Sequence, residues 1–185
     1  KTTFSLKKRI NDVLITLKKT AEDRKNSLTL EYDESIPEKL IGDPLKLSQV
    51  LINLIGNSVK FTQNGEVTIR INKLSSVKDK VNLHVEIEDT GVGISMQKQK
   101  SIFETFNQGS LQINRKFGGS GLGLSIVKNL LELMNSKVYL ESVLGQGSKF
   151  WFDISFNISE DNFGDAELSN KAYNIDYKSL EKISI

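Results

Sequence analysis

The chain has no cysteine among its 185 residues, which excludes disulfide bonds and metal sites built from thiolates. Histidine is nearly absent as well, because His84 is the only one. It lies within an alternating, strand-like pattern, so we predict an ordinary strand-face histidine without a catalytic role. Neither sign of charge dominates: 25 Lys and Arg against 23 Asp and Glu give a net charge of +2. This balance offers no electrostatic case for binding nucleic acid or an anionic membrane surface.

Long apolar runs are also missing. No run approaches the roughly twenty residues that span a bilayer, and no signal-peptide pattern opens the sequence. The apolar fraction of 38% is close to that of ordinary globular proteins. Because the sequence begins with Lys1 rather than methionine, we expect a piece of a longer protein. We predict one domain over residues 1–157 and a polar, linker-like tail over 158–185.

Periodic patterns predict the helices and strands. Apolar residues three and four apart predict helices over 6–25, 44–61 and 121–135, with a shorter helix or turn over 97–106. Asp43 suits the N-cap of the second helix, and Pro44 suits its first position. Alternating patterns predict strands over 28–33, 66–74, 81–89, 138–143 and 149–156. The pair Asn64-Gly65 is typical of a hairpin-type turn, and the strands 66–74 and 81–89 are expected to be joined around residues 78–80.

A glycine cluster directly precedes the third long helix. Its members are Gly118, Gly119, Gly121 and Gly123. Backbone without a Cβ lets amide groups approach a ligand closely, and the N–H groups at the start of the helix attract anions. The spacing matches neither a dinucleotide-binding fingerprint nor a P-loop. The cluster therefore predicts a phosphate site of another kind, and a flexible hinge is the alternative.

The second helix carries an unusual polar stripe. Asn53, Asn57 and Lys60 stand at i, i+4 and i+7, so they share one face among apolar neighbours. Amide oxygens and an ammonium group on one face could meet a polyphosphate and its Mg²⁺, which prefers oxygen ligands. The alternative is that the two asparagines satisfy backbone groups at a buried helix crossing.

A carboxylate stands at the end of a predicted strand. Asp89 is followed at once by Gly91 and Gly93, so a fixed acceptor lies where a ligand can reach it across bare backbone. A simple turn would show the same pattern. Further on, residues 107–117 are polar and predict a mobile loop that the glycine cluster closes.

Taken in order, these motifs resemble the catalytic and ATP-binding domain of two-component sensor histidine kinases. The resemblance covers about residues 4–157 and follows the family's order of five motifs: the N box at 53–62 (NLIGNSVKFT), the first glycine box at 89–94 (DTGVGI), the F box at 102–106 (IFETF), the second glycine box at 118–124 (GGSGLGL) and the last glycine box at 145–148 (GQGS). Residues 114–119 (NRKFGG) are similar to hybrid kinases, in which a receiver domain follows.

The resemblance implies a role for each matching residue. Asp89 would accept a hydrogen bond from the adenine amino group, Asn57 would hold Mg²⁺, and Asn53 and Lys60 would lie near the phosphates. The other implied nucleotide contacts are Phe61, Ile94 and Leu124 in an apolar adenine slot, Gly91 and Gly93 near the ring, Arg115 and Ser120 in the ATP lid at 107–118, and Gly119, Gly121, Leu122 and Gly123 in the second glycine box.

The resemblance also implies fold and function. The expected fold is a two-layer α/β sandwich of the Bergerat, or GHKL, type, with a mixed sheet of about five strands and three main helices on one face. The expected activity is transfer of the γ-phosphate of Mg-ATP to a histidine on a separate dimerisation domain, whose phosphoacceptor segment this sequence lacks. A receiver domain or response regulator would act downstream. Use of ATP implies a cytoplasmic domain, whether or not the parent protein is membrane-anchored.

Two other functions fit parts of this pattern. The first is an ATPase of the same superfamily, such as the nucleotide domain of DNA gyrase, a mismatch-repair protein or a large chaperone. Those proteins typically place a water-activating glutamate where this chain has Asn53, and a neutral amide cannot act as a general base. The second is a degenerate nucleotide-binding or interaction module, but none of the five motifs is lost.

Overall fold

The computed structural model describes residues 1–104 and 122–160, which form one mixed sheet with helices packed on it. The predicted fold class is confirmed. In chain order the elements are β1 (Thr2–Ser5), α1 (Leu6–Asp23), β2 (Ser27–Tyr32), β3 (Lys39–Gly42), α2 (Pro44–Phe61), β4 (Glu66–Val77), β5 (Lys80–Asp89), α3 (Met96–Gln99), α4 (Gly123–Leu133), β6 (Tyr139–Val143) and β7 (Gly147–Ile158).

The long strand β7 organises the sheet. It pairs antiparallel with β5 along one edge, and its other edge is shared by β6 near Gly147 and by β3 near Ile158. Beyond β5, the order continues through β4 to β2, and β1 pairs with β3 at the opposite side. The pair β2–β4 is parallel, whereas the others are antiparallel, so the sheet is mixed as expected.

The two faces of the sheet differ in chemistry. On β5, Val85 and Ile87 point into the core with almost no exposure, and α2 packs against this face. The intervening residues point to the other face, where Arg70 of β4 donates to Glu31 and Glu86 at 2.9 and 2.7 Å. Because strand side chains alternate, Asp89 lies on the same face as Val85 and Ile87. The last residue of β5 therefore carries a carboxylate into the layer between sheet and helices.

The second helix begins as the sequence predicts. Asp43 accepts a hydrogen bond from the backbone N–H of Lys46 at 3.0 Å, and Pro44 occupies the first helical position. The helix then runs to Phe61 and buries Leu47, Leu51 and other apolar residues of one face. In the described ranges no helix is long and apolar enough to cross a membrane.

The structure adds two short strands to the expected five. β1 and β3 have four residues each and pair with one another, so their alternation is too brief to recognise in the sequence. The turn at Asn64-Gly65 has Asn64 at a φ of 52°, and it joins α2 to β4 rather than two strands. The predicted connection around residues 78–80 is confirmed: β4 and β5 form the hairpin of the region, with Lys78 at a φ of 54°.

The boundary between domain and tail stays a prediction. β7 ends at Ile158, one residue past the expected limit, and the N–H of Ser159 still donates to the carbonyl of Lys39 at 3.0 Å. The rest of the tail, 161–185, lies outside the described residues.

Candidate nucleotide site

Asp89 is a buried carboxylate with two internal hydrogen bonds. Its side chain is 6% exposed at the end of β5. Oδ2 accepts from the hydroxyl of Ser58 on α2 at 2.9 Å, and Oδ1 accepts from the N–H of Gly91 at 3.0 Å. Burial raises the pKa of the Asp89 carboxyl above its ordinary value, and these hydrogen bonds oppose the rise. A desolvated carboxylate with a fixed orientation is a strong acceptor for an amine donor.

The glycines around Asp89 are required by close backbone contacts. A Cβ on Gly91 would lie 2.6 Å from the carbonyl oxygen of Phe61 and 2.9 Å from Oδ1 of Asp89. Gly147, at a φ of +116°, is tighter still, because its Cβ would lie 1.9 Å from the carbonyl oxygen of Asp89. The first and last glycine boxes therefore meet at the Asp89 backbone.

Gly93 is needed for packing against β6. Its φ is +65°, and a Cβ there would lie 2.0 Å from the carbonyl oxygen of Val143. The next residue, Ile94, donates its N–H to Oγ of Ser142 at 2.8 Å, and Gln99 donates to the carbonyl of Ile94 at 2.7 Å. These contacts fix the segment after Asp89. The expected approach of Gly93 to a ring stays a prediction.

The polar stripe of α2 meets the start of α4. A Cβ on Gly123 would lie 3.3 Å from Oδ1 of Asn53 and 3.8 Å from Nδ2 of Asn57. The N box and the second glycine box are thus brought together, although about seventy residues separate them in the sequence. Within the described residues, Nδ2 of Asn53 is buried and has no hydrogen-bond partner. An orphaned amide beside a helix N-terminus is an arrangement that a polar ligand can complete.

Some of the remaining predicted nucleotide contacts lie within the residues that the structure describes, and others lie outside them. Lys60 places its Nζ 5.1 Å from the ring centroid of Phe61, which is 36% exposed. Leu124 and Ile94 pack partly buried against the core, and Leu122 caps α4. The predicted contacts that lie outside the described residues are Arg115, Gly119, Ser120 and Gly121.

Two residues that the sequence did not single out support this site. Ser58 holds Asp89, as described above. Asn26 is 8% exposed, and its side-chain amide donates to the carbonyls of Val59 and Thr62 at 3.1 and 3.0 Å. Its Oδ1 accepts from the N–H of Gly65 at 3.2 Å, so it anchors the C-terminus of α2. The hydrogen bonds Ser58–Asp89 and Asn26–Val59 each join residues more than thirty positions apart, so no local sequence pattern reveals them.

His84 has the strand-face position expected of it, but it also has a charged neighbour. Its Nδ1 lies 2.6 Å from Oδ1 of Asp153, which stands opposite it on β7. Because residues 84 and 89 lie on opposite faces of β5, the imidazole points away from the Asp89 side of the sheet.

Among the described residues, no three His, Asp or Glu side chains lie close enough together to hold a metal ion. At the start of α4, the side-chain amide oxygens of Asn53 and Asn57 would be the oxygen donors for a cation. Amide oxygens are ligands that Mg²⁺ accepts, usually together with substrate phosphates and waters. The residues present therefore fit a Mg-nucleotide better than a free ion.

Comparison with known proteins identifies relatives of the chain. Residues 42–158 match the family described as histidine kinase-, DNA gyrase B-, and HSP90-like ATPases. The signal transduction histidine-protein kinase BarA of Escherichia coli K12 is 37% identical over 84% of this chain and 17% of its own length. The sensor histidine kinase AruS of Pseudomonas aeruginosa is 39% identical over 84% of this chain and 16% of its own length. The chain thus spans about a sixth of such relatives.

Solved structures give the same result. The crystal structure of full-length ShkA in complex with AMPPNP aligns at a TM-score of 0.68 and 29% identity, over 85% of this chain and 31% of that one. The catalytic domain of the histidine kinase ThkA aligns at a TM-score of 0.64 and 27% identity, over 83% of this chain and 93% of that one. The predicted family is confirmed: the chain belongs to the histidine kinase-, DNA gyrase B-, and HSP90-like ATPases, and the relatives and structures that it resembles here are histidine kinases.

Proposed function

We propose that this domain binds Mg-ATP and donates the γ-phosphate to a histidine on a separate dimerisation domain, of the same or a partner chain, in two-component signal transduction. The observation that carries the proposal is the convergence of Asn53 and Asn57 on Gly123 at the start of α4. That convergence supports a phosphate site, and the buried carboxylate of Asp89 supports an amine-recognition site in the same domain.

At the adenine end, Asp89 is the acceptor for the exocyclic amine. Both of its oxygens are already oriented by Ser58 and Gly91, so little ordering is needed when the ligand arrives. Phe61, Ile94 and Leu124 supply apolar surface for the ring, with Gly91 and Gly93 beside it. The crystallisation of ShkA with AMPPNP, an ATP analogue, agrees with this assignment.

At the phosphate end, Asn57 is the Mg²⁺ ligand, with Asn53 and Lys60 near the phosphates. When bound, Mg²⁺ supplies neutralisation of phosphate charge. The N–H groups at the start of α4 offer the polyphosphate further donors, and the positive end of the helix dipole favours its charge. Arg115, Ser120 and the glycines at 119 and 121 are assigned to the same end from the sequence alone.

Transfer to a protein histidine is favoured over hydrolysis by the residue at position 53. Asn53 is a neutral amide and cannot take a proton from water near neutral pH, unlike a glutamate. Phosphoryl transfer asks the protein mainly for positioning and charge neutralisation, which amides and a lysine provide. The acceptor is not His84, because its imidazole lies on the other face of the sheet beside Asp153.

The partners and location follow from this activity. The first partner is the histidine-bearing dimerisation domain of the kinase, and the second is a receiver domain or response regulator that takes the phosphoryl group onward. ATP as the substrate assigns the domain to the cytoplasm.

The first test is calorimetric titration of the chain with ADP and a non-hydrolysable ATP analogue, with and without Mg²⁺. Wild type should bind both nucleotides. Asp89→Asn removes a charged acceptor from a buried amine, so binding should weaken by about tenfold or more. Asn57→Ala should lose mainly the contribution of Mg²⁺. Asn72→Ala, on the exposed face of β4, is the matched asparagine control and should bind as wild type does.

Phosphotransfer is tested separately. The separately produced dimerisation domain of the parent kinase, added with γ-labelled ATP, should acquire acid-labile label on its histidine. The chain alone should not label His84, and stoichiometric label there would contradict the proposal. If wild type binds no adenine nucleotide, the proposed function is wrong and an interaction module is left.

A further inference from the structure

Ser58, in the last turn of α2, joins this helix to the carboxylate at the end of β5. It is 1% exposed, and its hydroxyl donates to Oδ2 of Asp89 at 2.9 Å. The preceding residue, Asn57, belongs to the polar stripe that reaches Gly123. Successive helical residues point about 100° apart, so adjacent residues of one helix serve the phosphate end and the adenine end.

The contact with Ser58 limits the freedom of the carboxylate. A carboxylate has about four lone-pair sites on its two oxygens. The N–H of Gly91 occupies one on Oδ1, and the hydroxyl of Ser58 occupies one on Oδ2. With both oxygens engaged, rotation about the Cβ–Cγ bond is prevented, and the remaining sites have fixed directions. The Gly91 donor is backbone, so Ser58 is the side chain through which the sequence controls this orientation.

The same contact favours the ionised carboxylate. Burial raises the pKa of Asp89, and hydrogen bonds from the backbone of Gly91, the side chain of Ser58 and the backbone of Ser148 lower it, so Ser58 is the one side chain among these donors. Glu88 on the same strand adds to the rise. Among the charged residues of the neighbouring elements, Lys60 lies two residues after Ser58 on α2. Glu66 of β4 and Lys149 of β7 each adjoin a strand partner of Asp89, Val67 and Ser148 respectively, so their side chains point to the opposite face of the sheet. Lys149 is engaged with Glu141, and Lys60 lies over Phe61.

We propose that Ser58 is a positioning residue for nucleotide recognition, which acts through Asp89 by keeping its carboxylate oriented and ionised for the adenine amine. The inference rests on the proposed function, since it assumes that Asp89 is the adenine acceptor. The competing explanation is that Ser58 merely fastens α2 to the sheet. Both explanations predict some loss of stability when the hydroxyl is removed, but they predict different nucleotide affinities for the protein that remains folded.

The test is calorimetric titration of Ser58→Ala with ADP in the absence of Mg²⁺, which leaves Asn57 out of the measurement. Alanine suits a helix interior, but the buried hydrogen bond to Asp89 is lost, so the thermal midpoint should fall and the titration is run well below it. ADP affinity at neutral pH should fall roughly three- to tenfold, because an oriented, charged acceptor is lost in part. In acid, binding should also fail at a higher pH than in wild type, because the protonated carboxyl cannot accept.

A matched control is available at the other end of β7. Ser159 is also buried, at 5% exposure, but it follows the far end of the strand, whose twelve residues span about 35 Å or more from the Asp89 end. Ser159→Ala should therefore bind ADP as wild type does. In the background of Asp89→Asn, Ser58→Ala should cause no additional loss of affinity.

The outcomes separate the inference from the proposed function. Weaker ADP binding by Ser58→Ala, without effect in the Asp89→Asn background, supports the positioning role. Unchanged affinity in Ser58→Ala, or equal additional loss in both backgrounds, overturns it and leaves the proposed function standing. Failure of wild type to bind ADP overturns both.

Discussion

Of the two glycines in the last glycine box, Gly147 is the one whose replacement by alanine should lower stability more and should also disturb Asp89. The new Cβ would lie 1.9 Å from the carbonyl oxygen of Asp89 and 2.9 Å from its carbonyl carbon. These are backbone atoms, so no side chain can rotate away, and β5 and β7 must separate by about 1.5 Å to restore van der Waals contact. Overpacking of this kind costs about 1–3 kcal/mol, and the φ of +116° adds about 1–2 kcal/mol of strain.

The expected loss in the free energy of unfolding is therefore about 2–5 kcal/mol, a large share of the stability of a typical domain. Gly145→Ala is the matched control in the same turn. Its φ of +83° is also unfavourable, but no atom lies within 4 Å of the added Cβ, so it should lose only about 1–2 kcal/mol.

Urea denaturation of the two variants measures this difference, and ADP titration below the transition measures the effect on Asp89. Because the carbonyl that must move belongs to Asp89, Gly147→Ala should also bind ADP more weakly, whereas Gly145→Ala should not. Equal losses of stability in the two variants would refute the packing argument. Unchanged ADP affinity in a folded Gly147→Ala would refute the link to the carboxylate.

Three further predictions concern stability. Burial raises the pKa of Asp89, so the folded state holds a proton that the unfolded chain releases, and wild-type stability falls as the pH rises above the ordinary aspartate pKa and through the raised one. The stability of Asp89→Asn relative to wild type should therefore increase with pH over this range in urea titrations, and a constant difference would contradict this. Asn26→Ala should lower the free energy of unfolding by about 2–4 kcal/mol in the same assay, because it leaves the N–H of Gly65 and the carbonyls of Val59 and Thr62 without their partner at the end of α2. A loss below about 1 kcal/mol would contradict this and mean that water replaces the amide. Asp43→Ala should cost about 1 kcal/mol through loss of the helix cap. Hydrogen bonds from Lys46 lower the pKa of Asp43, so its contribution is present above the ordinary aspartate pKa, and the difference from wild type should vanish in strong acid as the carboxyl is protonated.

Local regularities in the sequence were sufficient for most of the fold. The helix α2 begins at Pro44 and ends at Phe61, as its cap and its apolar spacing predict, because both signals act within a few residues. The strands β4 and β5 follow from alternation for the same reason. Alternation cannot identify β1 or β3, because four residues contain only two repeats of a two-residue period. These segments are recognisable as strands only because they pair with each other.

The Asn64-Gly65 pair shows that one dipeptide can serve two kinds of connection. The pair Asn64-Gly65 is typical of hairpins, yet here the chain leaves a helix and enters a strand that pairs in parallel with β2. In the folded chain the Oδ1 of Asn26, just before β2, accepts the N–H of Gly65 and ties the turn to the start of β2. The positive φ of Asn64 suits either connection, and this contact across nearly forty residues is not visible in the local sequence.

For the candidate site, the sequence by itself determined which residue types are present and in what order: the asparagine stripe, the carboxylate after β5, the glycines and the family to which they belong. Only the tertiary structure decided which of them meet. It placed Asn53 and Asn57 against Gly123, gave Asp89 a partner in Ser58, put Gly147 against the Asp89 backbone and turned His84 to the opposite face. The physical reason is the separation in sequence over which each interaction acts. Capping, periodicity and glycine freedom act within a few residues, whereas burial, hydrogen bonding and backbone contact act between residues that only the packed sheet and helices bring together.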